Sequence, residues 1–150
     1  MSNAKIAIDD IIIDKNTTKQ EFANDQKFRE GSNGKIYYSI PNEVVCFNHR
    51  FYADIKCGEI NVRSIKLFPI IENVEKPHYP DKKYQEISWN YCKKVLMDYF
   101  HFEGQTVKGE RSETFYYNFE NMEIYTRLIT KGQEEYTGGY IVIEMCRRMF

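Results

Sequence analysis

Between Tyr84 and Phe102 the apolar side chains recur at three- and four-residue steps. Tyr84, Ile87, Tyr91, Val95 and Tyr99 form one line, with Cys92, Leu96 and Phe100 beside it. That is a wide stripe on a 3.6-residue helix, and Lys83, Lys93, Lys94 and Asp98 keep mainly to the other side. Asp81 offers an N-cap oxygen, and Glu86 lies in the opening turns, where the helix dipole favours negative charge. Gly104 is the expected stop. A helix of this length needs something flat to pack on, and almost everything before and after it reads as strand.

Lys5 to Ile13, with Ile6, Ile8 and the run Ile11-Ile12-Ile13, reads as a strand well inside a sheet. Thr18 followed by Glu21 is a capping-box signature for a short helix from Lys19 to Gln26 that buries Phe22. Gly31 to Gly34 is turn chemistry. Lys35 to Ile40 is the second strand, stopped by Pro41. Glu43 to Phe47 is a short apolar run. Phe51 to Lys56 alternates, with Phe51, Ala53 and Ile55 on one side and Tyr52, Asp54 and Lys56 on the other. Asn48-His49-Arg50 is either a bend between these two or a wet point in one long strand. Cys57-Gly58-Glu59 reads as a hairpin turn. In Ile60 to Phe68 the alternation slips, because Val62 and Ile65 have opposite parity; a bulge near Arg63-Ser64 reconciles them. Pro69 ends that strand. Beyond the loop from Gly104 to Gly109 lie three strands: Thr114 to Phe119, Met122 to Ile129, and Tyr140 to Cys146. The first two are joined by a tight turn at Glu120-Asn121, and a polar loop from Lys131 to Gly139 leads to the third. The order β-α-β-β-β-α-β-β-β predicts an α+β fold, a mainly antiparallel sheet packed on one long and one short helix.

The 150 residues suit one domain spanning 1–150. Met1-Ser2-Asn3-Ala4 resembles the remnant of an expression tag, so a removed signal peptide stays open. No apolar run approaches the length of a membrane helix. A net charge of −1 provides no global field to gather nucleic acid. Cys46, Cys57, Cys92 and Cys146 are widely spaced without a C-x-x-C pair. Three of them sit in apolar patterns, as buried thiols in a reducing compartment do, with two disulfides as the alternative.

Chemistry-bearing constellations are few. Cys46 and His49 are the one short-range pair of metal-ligand types, and His78 and His101 read as structural, so no metal or cofactor is expected. There is no nucleophile elbow and no phosphate loop, and Gly138-Gly139 precedes a strand, as a turn would. No catalytic residue is assigned. From Glu103 to Glu144 eight acids stand against four bases. A mildly acidic sheet face rich in tyrosine could meet a basic partner, the tyrosines giving contact area and the carboxylates steering; an ordinary solvated face is the alternative.

The leading apolar strand, Thr17-Thr18-Lys19-Gln20-Glu21-Phe22 opening a short helix, a strand ending in Ile65-Lys66-Leu67-Phe68-Pro69, one long helix and closing strands form an ordered series. This series resembles the small immunity proteins of bacterial polymorphic toxin and contact-dependent growth inhibition systems. It is also similar to the pattern of β-lactamase-inhibitor-like proteins, in which helices pack on an antiparallel sheet. The resemblance implies a cytoplasmic, non-enzymatic protein that binds a cognate toxin domain and blocks its active site or substrate path. It carries over no functional residue. The candidate partner-binding residues come from strand alternation and exposure in the last three strands and their loops: Glu113, Tyr116, Glu120, Glu123, Tyr125, Glu134, Glu135 and Tyr136. The competing expectation is a small-ligand-binding domain of the envelope or secreted fraction, with aromatics lining a pocket between sheet and helix.

Overall fold

The structure, a computed structural model, describes residues 3–24, 29–30, 37–132 and 135–146. Thirteen elements follow in chain order: β1 (Ile6–Ile8), β2 (Ile11–Ile13), α1 (Lys19–Asn24), β3 (Arg29–Glu30), β4 (Tyr37–Ser39), β5 (Val44–Cys46), β6 (His49–Cys57), β7 (Val62–Pro69), α2 (Lys82–Phe100), β8 (Gln105–Lys108), β9 (Ser112–Asn118), β10 (Met122–Ile129) and β11 (Ile141–Met145). The α+β class and the antiparallel pairing are as the sequence predicts.

Helix α2 starts where its cap residue says it should. The Asp81 backbone is extended, and its carboxylate accepts from the Tyr84 N–H at 2.9 Å. It ends earlier than expected. His101 adopts the left-handed conformation at φ 60° and sends its N–H back to the Met97 carbonyl, so the stop is His101 and not Gly104. Gly104 serves packing instead, since a Cβ there would stand 2.6 Å from the Phe115 ring. The buried face is also rotated from the aromatic stripe. It centres on Gln85, Ser88, Trp89, Cys92, Val95 and Leu96, while Ile87 is 36% exposed and Tyr91, Tyr99 and Phe100 pack only at its border. The rotation is affordable because the two polar residues are satisfied locally: Ser88 Oγ donates to the Gln85 carbonyl at 3.1 Å, and the Gln85 amide grips the sheet.

The main sheet has nine strands in the order β3-β4-β6-β7-β11-β10-β9-β8, with β5 paired to β6 on the same edge as β4. Two core rows cross it. One runs Phe115, Thr126, Ile141, Leu67, Ala53, and the other Tyr117, Ile124, Ile143, Ile65, Ile55, Tyr38. All eleven are buried, and α2 lies against this face together with α1 and the β1-β2 hairpin. Burying an aliphatic or aromatic side chain stabilises by roughly 1.5–3 kcal/mol, so these rows dominate the fold.

Three local readings need correction. Lys5 to Ile13 is not one inner strand but the hairpin β1-β2, a separate two-stranded sheet reversing at Asp9-Asp10. Asp9 takes φ 52°, which its short side chain tolerates, and its carboxylate accepts from the Val45 N–H at 2.8 Å. The reversal after Glu43 to Phe47 is at Phe47-Asn48, at φ 52° and 64°, as in a type I′ hairpin, and His49 and Arg50 belong to β6. Four strands follow α2 and not three: the additional one is the first, β8, an edge strand whose four residues are all exposed, so that with nothing to bury it has no alternation to read.

The bulge is where the parity slip put it. Lys56 pairs with Ser64 and Cys57 with Val62, leaving Arg63 as the extra residue, so Val62 and Ile65 both point inward. The Glu21 carboxylate accepts from the Thr18 N–H at 2.8 Å, the acidic half of the capping box, and Phe22 is fully buried. The expected end of that helix at Gln26, the Gly31 to Gly34 turn and the start of the Lys35 strand lie outside the described residues. At the Glu120-Asn121 turn the Asn121 side chain accepts from the Ala4 N–H at 2.8 Å and donates to the Ala4 carbonyl at 2.9 Å, tying the leading hairpin to the sheet.

Candidate functional site

Strand alternation that turns the core rows toward α2 must turn the intervening rows away from it. The central outward row is Tyr116, Tyr125, Val142, Lys66, Asp54, Ser39. The next row toward the β9-β10 turn is Asn118, Glu123, Glu144, Ser64, Lys56, Tyr37. Toward the other end lie Thr114 opposite Arg127 and Phe68 opposite Tyr52. Among the described residues no helix or strand covers this face. Its centre is a hollow of about 320 Å³ with Val142 at its floor and Tyr37, Tyr125 and Tyr140 on its walls.

Each cation of the hollow rests on an aromatic ring. Lys66 Nζ stands 5.5 Å from the Tyr140 ring centre, the Arg127 guanidinium 4.9 Å from that of Tyr125, and Lys56 Nζ 5.7 Å from that of Tyr37. Tyr140 in turn packs on Phe68 at 5.0 Å, with Lys76 beyond it at 5.1 Å. The two carboxylates of the hollow are engaged by hydroxyls: Ser39 Oγ donates to Asp54 at 2.8 Å, and the Tyr125 hydroxyl to Glu144 at 3.3 Å. Burial, and then the Glu144 charge beside it, pushes the Tyr125 hydroxyl up to about 12.

One end of this face is locked to α2. Gln85 Oε1 accepts from the Ile129 N–H at 2.9 Å and the Gly138 N–H at 2.7 Å, while Nε2 donates to the Ile129 carbonyl at 3.0 Å. Gly138 and Gly139 are close-approach residues and not merely a turn. A Cβ on Gly138 would overlap the Arg127 carbonyl oxygen, and Gly139, at φ 85°, has Ser88 Oγ in the place of a side chain. This clasp sets Tyr140, the residue after Gly139, at the edge of the hollow.

The structure gathers some of the residues read from sequence and scatters the others. Tyr116 and Tyr125 are directly paired across β9 and β10, and Glu123 shares their face. Glu113 has the parity of Phe115 and so falls on the helix side, 3.6 Å from Lys108. Glu120 is exposed at the β9-β10 turn, one end of the sheet. Glu135 and Tyr136 lie in the loop at the opposite end, where a hydrogen bond to Glu135 raises the Tyr136 hydroxyl and Tyr136 borders a second recess of about 250 Å³ beside the first turns of α2. Glu134 lies outside the described residues. Sequence reading missed Lys56, Lys66, Arg127, Tyr37 and Tyr140. The outward parity of Lys56 was legible in the Phe51 to Lys56 alternation, but its neighbours were not.

Cys46 and His49 are cross-strand partners, yet their chemistry is spent on structure. His49 Nδ1 is 2.8 Å from the Phe47 carbonyl, its ring meets Tyr91 edge-on, and burial pushes the Cys46 thiol up, away from thiolate formation. Cys46, Cys57 and Cys92 are buried thiols outside any disulfide. Among the described residues no three metal-ligating side chains converge, and no helix is long and apolar enough to cross a membrane. What the fold and the face define together is an α+β domain with one sheet face packed and, among the described residues, the other uncovered. No protein-family model, curated protein or solved structure matches the chain.

Proposed function

We propose that the protein is a non-enzymatic inhibitor of a protein partner, of the immunity-protein kind, acting in the cytoplasm on a cognate toxin domain. The observation that carries the reading is the bare sheet face, which sets tyrosines and alternating charges on a rigid backbone. Tyr116, Tyr125 and Tyr140 are half-buried, each held by strand neighbours, and so supply contact area with little side-chain entropy left to lose. Aromatic anchors bordered by charges are the composition of a docking surface. Inhibition then needs no chemistry from this chain: a partner seated on the sheet has its active site or substrate path covered.

The test is calorimetric titration against the polypeptide encoded beside this chain's gene. Tight one-to-one binding that is lost when Tyr116→Ala and Tyr125→Ala are combined supports the reading. Absence of binding at micromolar concentrations overturns it for that partner. The hollow of about 320 Å³ favours the second reading, a small-ligand site, since it falls at the lower end of ligand-pocket sizes. Its place on the open face, and not between sheet and helix, differs from the sequence expectation. Saturable binding of a small molecule that survives the Tyr116→Ala change but not Val142→Trp would favour that reading.

A further inference from the structure

We infer that the segment of the partner that enters the central hollow is acidic, its side-chain carboxylates held between Lys66 and Arg127. This rests on the reading of the open face as the docking face. Sequence composition pointed the other way, to carboxylates meeting a basic partner, but the fold redistributes the charges. Glu113 is on the helix side, and Glu120 and Glu135 are at opposite ends of the sheet. The centre is contributed by β6, β7 and β10, which bring Lys56, Lys66 and Arg127 to one hollow.

These three cations make no direct ion pair, although Asp54 faces Lys66 across β6 and β7. Among the described side chains no carboxylate lies within 4.0 Å of any of them; each leans on a tyrosine ring instead. A ring holds a cation in place through its quadrupole while leaving the ammonium or guanidinium donors open to a second partner. Arg127 uses only its Nε, which donates to Thr114 Oγ1 at 3.0 Å, so its terminal nitrogens keep the planar fork that matches a carboxylate. Lys66 and Arg127 flank the apolar floor at Val142, one on each side of β11. Asp54 and Glu144 also line the hollow; they keep their charge while accepting the Ser39 and Tyr125 hydroxyls, so three cations stand against two carboxylates and the balance is positive. Glu123 and Glu144 face each other in register toward the β9-β10 turn, and this like-charged pair repels an acidic segment there. The segment is therefore confined to the side of Lys66, Arg127 and Tyr140.

The experiment is a nuclear magnetic resonance titration of the isotope-labelled protein with a short poly-glutamate peptide, a poly-lysine peptide and inorganic phosphate in turn. Poly-glutamate is expected to give saturable shifts at the amides around Val142, Lys66 and Arg127. The double change Lys66→Glu, Arg127→Glu should weaken that binding at least about tenfold, as should raised salt. No saturable shift with poly-glutamate, or an equal response to poly-lysine, overturns the inference. Phosphate reproducing the same shifts at the same affinity also overturns it, in favour of a free-anion site. Both residues are exposed, and an unchanged urea midpoint for the double variant separates lost binding from lost folding. The inference and the inhibitor reading fail separately. Partner binding lost with Tyr125→Ala but kept or tightened with Lys66→Glu ends the acidic segment alone. Poly-glutamate binding with no protein partner supports the acidic site and ends the inhibitor reading alone.

Discussion

Replacing Gln85 tests whether the clasp between α2 and the sheet governs this fold. Gln85 is 2% exposed, and its amide pairs with three backbone groups, the Ile129 N–H, the Ile129 carbonyl and the Gly138 N–H. Gln85→Leu fills similar volume but strands all three. Leaving a buried polar group unpaired costs about 1–3 kcal/mol, and since these groups are only partly buried the low end applies, giving about 3 kcal/mol in total. With a urea dependence of about 2 kcal/mol per molar, the midpoint should fall by about 1.5 M. Gln85→Glu adds a sign. The new carboxyl keeps one acceptor, but when ionised it faces the Ile129 carbonyl, so its folded-state pKa is raised. The stability it restores is therefore present at acid pH and lost as pH rises through that raised value. The assay is urea unfolding of both variants at acid and neutral pH. A midpoint shift of Gln85→Leu under about 0.3 M, or a Gln85→Glu variant less stable at acid than at neutral pH relative to wild type, would refute the reasoning.

Two further outcomes follow from the same geometry. Gly138→Ala must displace the loop from the Arg127 carbonyl and Gln85 Oε1, and should cost about 2 kcal/mol; thermal unfolding measures it, and an unchanged midpoint contradicts the close approach. Tyr125 should ionise near pH 12 and not near 10, as read from the tyrosinate absorbance difference between wild type and Tyr125→Phe, and Glu144→Gln should lower that value. Because the folded value is the higher one, the stability linked to Tyr125 is intact below pH 10 and declines as pH rises through 10 toward 12. A Tyr125 titration near pH 10 would remove the burial and the Glu144 contact from the account.

Where sequence reading failed, a competing local force can be named. The leading apolar run reads as one strand because six β-branched or small residues dominate it, whereas Asp9, at φ 52°, reverses it. Hydrophobicity alone favours Ile87 over Gln85 for the buried side of the helix; hydrogen bonds to Ile129 and Gly138 make the polar residue the buried one. Of the candidate site, Tyr116, Tyr125 and Glu123 were legible because alternation fixes parity once a strand is recognised. Glu113 was misplaced by exposure alone, being an odd-numbered residue in a strand whose odd positions face α2.

The chain by itself determined the features that depend on a few adjacent residues. These are the Asp81 cap, the Glu21 return to Thr18, the Arg63 bulge, and the alternation that sends Phe51, Ala53 and Ile55 one way and Tyr52, Asp54 and Lys56 the other. Parity, caps and turns are short-range, so sequence carries them. Only the tertiary structure decided that β11 returns to lie between β7 and β10. That placement sets Lys66 and Arg127, sixty-one positions apart in the chain, on either side of Val142. It gives the centre of an overall slightly acidic protein three cations against two carboxylates. Strand order is chosen by how all the core rows pack at once against α2, and no segment of the sequence contains that sum.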